Sequence, residues 1–177
     1  MKIIISGFGG QGVLSLGKFI SYSAIQQDLN TSWLPSYGPE MRGGTANCSV
    51  IYSAEEIASP VIDNPDILIA FNEPSLVKFE SKVKEGGIII TNSDIVGIKA
   101  TRTDCKIYEI PVDTLSSAIN RKGANVFMLG VLLPLFKNIS MDSAIKAVEH
   151  VFEAKPQVIP SNVKCLEAGC EYMSKLV

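Results

Sequence analysis

Along the chain, short apolar runs alternate with longer stretches in which apolar residues recur every three or four positions. Lys2–Ser6, "KIIIS", is a continuous apolar run of strand length, the pattern of a strand buried on both faces. In Gly10–Gln27, Val13, Leu14, Leu16, Phe19, Ile20 and Ala24 form a helical stripe. Thr31–Pro35 predicts a second strand, and Thr45–Tyr52, "TANCSVIY", alternates enough to suit a strand that pairs antiparallel. Asp66–Phe71 and Ile88–Thr91 predict further buried strands, separated by a helix over Glu73–Lys84 that Gly86–Gly87 closes. Lys106–Ile110 reads as another strand. Helices are predicted at Val112–Asn120, Asn125–Lys137 and Ser140–Phe152, the last with Ser140 as N-cap. "KPQVIPSN" reads as a linker to a last short helix at Val163–Leu176.

Strands alternating with helices predict an α/β fold: a three-layer α/β/α arrangement on a mostly parallel, mixed sheet, Rossmann-like. We expect residues 1–153 to form the α/β domain. Residues 154–177 would be a linker and short helix docked on it. In such sheets ligands sit beyond the carboxyl ends of the strands. That rule selects four segments rich in glycine or polar residues: "GFGGQG", "SYGPEMRGG", "FNEPS" and "TNSD".

The first of these matches G-x-G-x-x-G between a strand and a helix, the setting a phosphate loop needs. A tight strand-to-helix turn without a ligand would use the same glycines. A nicotinamide site also requires an acid at the end of the second strand to grip the ribose. That region is "TSWLPSYG"; Asp28 comes too early and Glu40 lies in the loop beyond, so the motif argues against NAD. "GVLSLGK" formally fits a nucleotide P-loop, but Phe19 stands where a Mg²⁺-binding hydroxyl belongs.

Composition narrows the function classes. The chain has 177 residues, enough to bury roughly 70% of its unfolded surface without disulfides or metals. A net charge of −2 with no basic block argues against nucleic acid. Charged residues are only 19%, against about 25% in ordinary soluble domains, which fits either a large subunit interface or a big core. Cys48, Cys105, Cys165 and Cys170 form no C-x-x-C pair, and His150 is the single histidine, so no metal site is expected. The thiols suit a reducing compartment. Met1–Lys2 leads straight into a strand, and the longest apolar stretch, Asn125–Phe136, is shorter than the roughly 20 residues a bilayer takes. We therefore expect a cytoplasmic chain without membrane contact.

"SYGPEMRGGTANCSVIYS", together with "GFGGQG", "ASPVIDNPDILIAFN" and "KEGGIIITNSD", resembles the gamma subunit of 2-oxoacid:ferredoxin oxidoreductases of the pyruvate, 2-oxoglutarate and 2-oxoisovalerate type. The resemblance covers most of the chain and weakens after about Phe152. It implies a noncatalytic subunit of an enzyme that turns a 2-oxoacid and coenzyme A into acyl-CoA and CO₂ and reduces ferredoxin. It implies catalytic alpha and beta subunits as partners, with a ferredoxin-like subunit as a further candidate. Thiamine diphosphate and iron–sulfur clusters would sit on those partners, and this chain would help bind coenzyme A. Carried onto this sequence, the binding candidates are Gly7, Gly9, Gly10, Gln11 and Gly12, with Arg42, Asn72 and Asn92. Arg42 could equally meet a partner's carboxylate, and the two asparagines could simply cap their own loops. Relatives that fuse this domain into one long chain carry lysines in the Arg42 loop, where Glu40 and Met41 stand here. Tyr37 and Glu40 are candidates for contact with a neighbouring subunit. No residue is assigned a catalytic role. Two alternatives stay open: the small subunit of an indolepyruvate:ferredoxin oxidoreductase, and a free-standing nucleotide-binding Rossmann-like module.

Overall fold

The alternation of apolar runs and amphipathic stripes resolves into six strands and six α-helices in a computed structural model that describes residues 1–37 and 45–177. The strands are β1 (Lys2–Phe8), β2 (Asn30–Tyr37), β3 (Thr45–Ser53), β4 (Ile67–Ala70), β5 (Ile88–Asn92) and β6 (Lys106–Ile110). They form one sheet in the order β2-β3-β1-β4-β5-β6. β1, β4, β5 and β6 run parallel, whereas β3 is antiparallel to both β1 and β2. The mixed sheet and the antiparallel third strand are as the pattern predicts.

The central strands feed two cores, because alternate side chains leave opposite faces. Ile3 and Ile5 of β1, with Ile67 and Ile69 of β4, join the larger core; Ile4 and Leu68 join the smaller one. The larger core contains buried residues of α1 (Val13–Ile25), α4 (Ala124–Leu132), α5 (Met141–Val151) and α6 (Ile159–Ser174). The smaller is closed by Leu76 and Phe79 of α2 (Glu73–Phe79) and by Ile62 and Val96. α3 (Val112–Ser117) follows β6 and adds Val112 to the larger core.

Helix ends obey local rules. Ser140 caps α5, and Ser143 returns the bond, a reciprocal capping box. The apolar run 125–136 splits at Pro134 into α4 and a 3₁₀ turn over Leu133–Leu135. The segment read as a linker is itself structured. Pro156–Val158 is a 3₁₀ turn, and α6 begins at Ile159 with Pro160 in its first turn. Proline is compatible with that position because the first helical N–H groups have no intrahelical partner anyway. The last helix is therefore 16 residues long and starts ahead of the expected boundary.

Candidate functional site

β1, β2, β4 and β5 all point the same way, so the segments that follow β1, β4 and β5 leave one edge of the sheet, the edge where β2 also ends. From β1 the chain turns back through α1 towards β2, whereas β4 continues on the other side. The carboxyl ends of β1 and β4 are thus the topological switch point where ligands collect in open α/β sheets.

A cleft of about 430 Å³ opens at this edge. Its walls include Gly10, Gln11 and Gly12 after β1, Phe71 after β4, and Asn92 and Ile95 around the end of β5. Asp113 of α3 and the turn that carries Arg121, Lys122 and Asn125 into α4 complete it. Gly10 and Gly12 have φ of +102° and +76°, backbone that favours glycine. At Gly12 a side chain would also strike Asn125, since a methyl there would stand 2.9 Å from it. The glycine loop therefore lies directly against the start of α4. The cleft receives the N-terminal ends of two helices, α1 and α4, and two cationic side chains, a combination that favours an anionic ligand.

The expected residues take different places. Gly10, Gln11, Gly12 and Asn92 line the cleft. Gly7 and Gly9 belong to the strand end and the turn that shape the loop, and Gly7 lies under the Gln11 side chain. Gln11 spends its amide on the protein: Oε1 accepts from the Phe8 N–H at 2.6 Å, and Nε2 donates to the Phe71 carbonyl at 3.1 Å. It ties the end of β1 to the end of β4 across the switch point. Asn92 is bonded likewise, its Nδ2 donating to Asp113 (2.7 Å) and its Oδ1 accepting from the N–H groups of Asp94 and Val112. Asn72 caps α2, accepting from the Ser75 N–H at 2.9 Å, and is buried outside the lining of the cleft. Arg42 and Glu40 lie outside the described residues, as does the side chain of Tyr37.

Sequence reasoning passed over Asp113, Arg121, Lys122 and Asn125. The signal was "NRKGAN", a basic pair and a glycine directly before a helix, but it follows no strand and matches no phosphate-loop spacing. Lys18, the other basic residue near the loop, holds its Nζ over the Trp33 ring, 5.3 Å from the centroid.

Other chemistry is sparse among the described residues. His150 packs edge-on against Tyr22, with ring centroids 4.3 Å apart. All four cysteines are free, and burial pushes the Cys48 thiol up to about 12, that of an inert core thiol. No three His, Cys, Asp or Glu side chains among these residues come together in a way that could hold a metal. No helix among them is long and apolar enough to cross a membrane.

Comparison with known proteins finds relatives along nearly the whole chain. The family described as pyruvate ferredoxin/flavodoxin oxidoreductase matches residues 2–172. The ketoisovalerate oxidoreductase subunit VorA of Methanothermobacter marburgensis is 37% identical over 99% of the chain, which spans only 37% of that subunit's length. The 2-oxoglutarate synthase subunit KorC of Methanocaldococcus jannaschii is 34% identical, covering 83% of the chain and 81% of KorC. Among solved structures, the gamma subunit of a keto/oxoacid ferredoxin oxidoreductase from Geobacter sulfurreducens superposes with a TM-score of 0.81. It is 28% identical, and 98% of each chain is covered. The fold also recurs, at TM-score 0.89 and 24% identity, within a 2-oxoglutarate:ferredoxin oxidoreductase from Magnetococcus marinus solved with 2-oxoglutarate, coenzyme A and succinyl-CoA. There it covers all of this chain and 31% of the other.

Proposed function

The chain belongs to the pyruvate ferredoxin/flavodoxin oxidoreductase family, and from that premise we propose that it forms the gamma part of a 2-oxoacid:ferredoxin oxidoreductase. The complete enzyme converts a 2-oxoacid, coenzyme A and oxidised ferredoxin into acyl-CoA, CO₂ and reduced ferredoxin. Its partners are the catalytic alpha and beta polypeptides. Thiamine diphosphate, which supplies the decarboxylation chemistry, and the iron–sulfur clusters that carry electrons reside on those partners. This chain contributes to coenzyme A binding and to assembly rather than to bond breaking.

One observation carries the reading: the glycine loop, the start of α4, Arg121 and Lys122 face one cleft at the switch point of the sheet. Coenzyme A brings a diphosphate to such a place without needing the ribose-gripping acid of an NAD site. Gly10 and Gly12 let the ligand approach the backbone at the head of α1, where free N–H groups meet phosphate oxygens. Gln11 holds the loop in that shape through Phe8 and Phe71.

The test is to tag the chain in its native host, purify it anaerobically and identify stoichiometric companions by mass spectrometry. The expected result is a complex that contains a thiamine diphosphate-binding polypeptide and reduces viologen only when a 2-oxoacid and coenzyme A are both present. Ketoisovalerate is the first oxoacid to assay, since the VorA subunit has the highest identity of the relatives named above. A chain recovered alone, saturable by NAD or AMP and without viologen-reducing activity, would favour the free-standing nucleotide module.

A further inference from the structure

The turn between α3 and α4 is built to hold two cations in one place. Asn120 organises it: its Oδ1 accepts from the Lys122 N–H at 3.0 Å and its carbonyl from the Gly123 N–H at 2.9 Å. The turn is then fastened to α6 at two points. Asn120 Nδ2 donates to Ser161 Oγ at 3.4 Å, and Gly123 packs so closely on buried Cys165 that a methyl there would stand 2.5 Å from its Sγ. The backbone is thereby fixed, while the side chains of Arg121 and Lys122 stay exposed at the rim of the cleft. Neither makes an ion pair among the described residues. The acid in the same cleft, Asp113, is engaged by Asn92 at 2.7 Å. Two cations thus face the cleft against one carboxylate.

We propose that Arg121 and Lys122 clasp the phosphomonoester on the ribose of coenzyme A, so that this cleft separates coenzyme A from its 3′-dephospho form. The inference rests on the coenzyme A reading above and assigns the part of the ligand that this turn reads. A diphosphate bridge lies inside the ligand and suits the glycine loop at the head of α1, where the backbone can be approached closely. A phosphomonoester is terminal, carries close to two negative charges at neutral pH and offers three acceptor oxygens. An adjacent guanidinium and ammonium on a fixed turn match it in charge, and the guanidinium can bond it bidentately. The 3′-dephospho form keeps the diphosphate and lacks only the group that the pair would hold.

The experiment uses the purified oxidoreductase complex and measures KM for coenzyme A and for 3′-dephospho-coenzyme A in viologen reduction. Three forms are compared: wild type, the double variant Arg121→Ala/Lys122→Ala, and Asn125→Asp. Asn125 lines the cleft in the first turn of α4, where an acid favours the helix, so its variant should fold. Its added negative charge opposes any phosphate in the cleft. The double variant is expected to raise KM for coenzyme A roughly ten- to a hundredfold while moving that for the dephospho form by less than about twofold, as loss of charge-assisted bonds to one group requires. Asn125→Asp is expected to raise both. Should Asn125→Asp raise both while the double variant shifts neither, or both by the same factor, the clasp is wrong and coenzyme A binding in the cleft stands. If no variant moves either KM, coenzyme A does not occupy this cleft and both readings fall.

Discussion

Gln11 shows how one side chain can line a cleft and still spend its polar atoms on holding the loop around it. Its carbonyl and amino groups are complementary to a backbone N–H on β1 and a backbone carbonyl after β4. Glutamate has the same length but offers no donor to Phe71 when ionised. Gln11→Glu should therefore cost about 1–3 kcal/mol of stability at pH 7, the range for an unmatched buried polar group. Protonation restores an O–H donor, so the loss should shrink as pH falls towards 4, about the ordinary glutamate value. Urea titrations at the two pH values check this, and an equal loss at both would show that the Phe71 bond does not matter. The glycines around Gln11 announce a turn in the sequence. The role of the amide was not legible, because one of its two partners lies 60 residues away. Asn92 poses the same problem, with Val112 and Asp113 some twenty residues downstream.

At the scale of elements, the pairing of α4 with α6 decides whether the α3–α4 turn is held. α4 is apolar all round, and Val126–Leu132 are all buried. Such a helix needs neighbours on every side. α6 meets it through facing glycines: Gly130 abuts the Leu166 carbonyl and Gly169 abuts the Phe127 carbonyl, too close for any side chain. Gly130→Ala or Gly169→Ala should force the helices apart and destabilise the protein by about 1–3 kcal/mol despite alanine's better helix propensity. Denaturant unfolding reads the change; a gain in stability would mean that the helices separate without penalty. The apolar run that becomes α4 was legible from composition. The start of α6 was not, because Pro160 at a first-turn position looks in sequence like a break.

Across the whole molecule, the edge of the sheet opposite the cleft is tied by charge. Asp66, just before β4, accepts from the Lys2 N–H and pairs with Lys84. Burial works to raise its pKa, but the bonds from Lys84 and Lys2 and the nearby positive charge outweigh it and hold the carboxyl below its usual range. A depressed folded pKa stabilises the protein above the unfolded value of roughly 3.9, and that contribution is lost as pH falls through the folded pKa. Wild type should thus exceed Asp66→Asn by up to about 1 kcal/mol at pH 7, since Lys84 is half exposed, and by less as acid protonates the carboxyl. A difference independent of pH would show that the charge of Asp66 is not what matters. Local signals sufficed for much of this architecture. The strand runs, the helical stripes, the Ser140 cap and the strand–glycine–helix order each lie within a few residues. An α/β chain with a glycine-rich loop between its first strand and first helix therefore follows from the amino-acid order alone. The strand order, the insertion of β3 between β1 and β2, and the use of Gln11 and Asn92 as internal ties emerge only in the folded molecule. Folding also brought Arg121 and Lys122 to a loop more than a hundred residues earlier in the chain. The difference lies in the range of the forces that select each feature. Backbone preference and hydrophobic period act between neighbours, whereas strand order and cleft lining depend on which distant surfaces bury each other best.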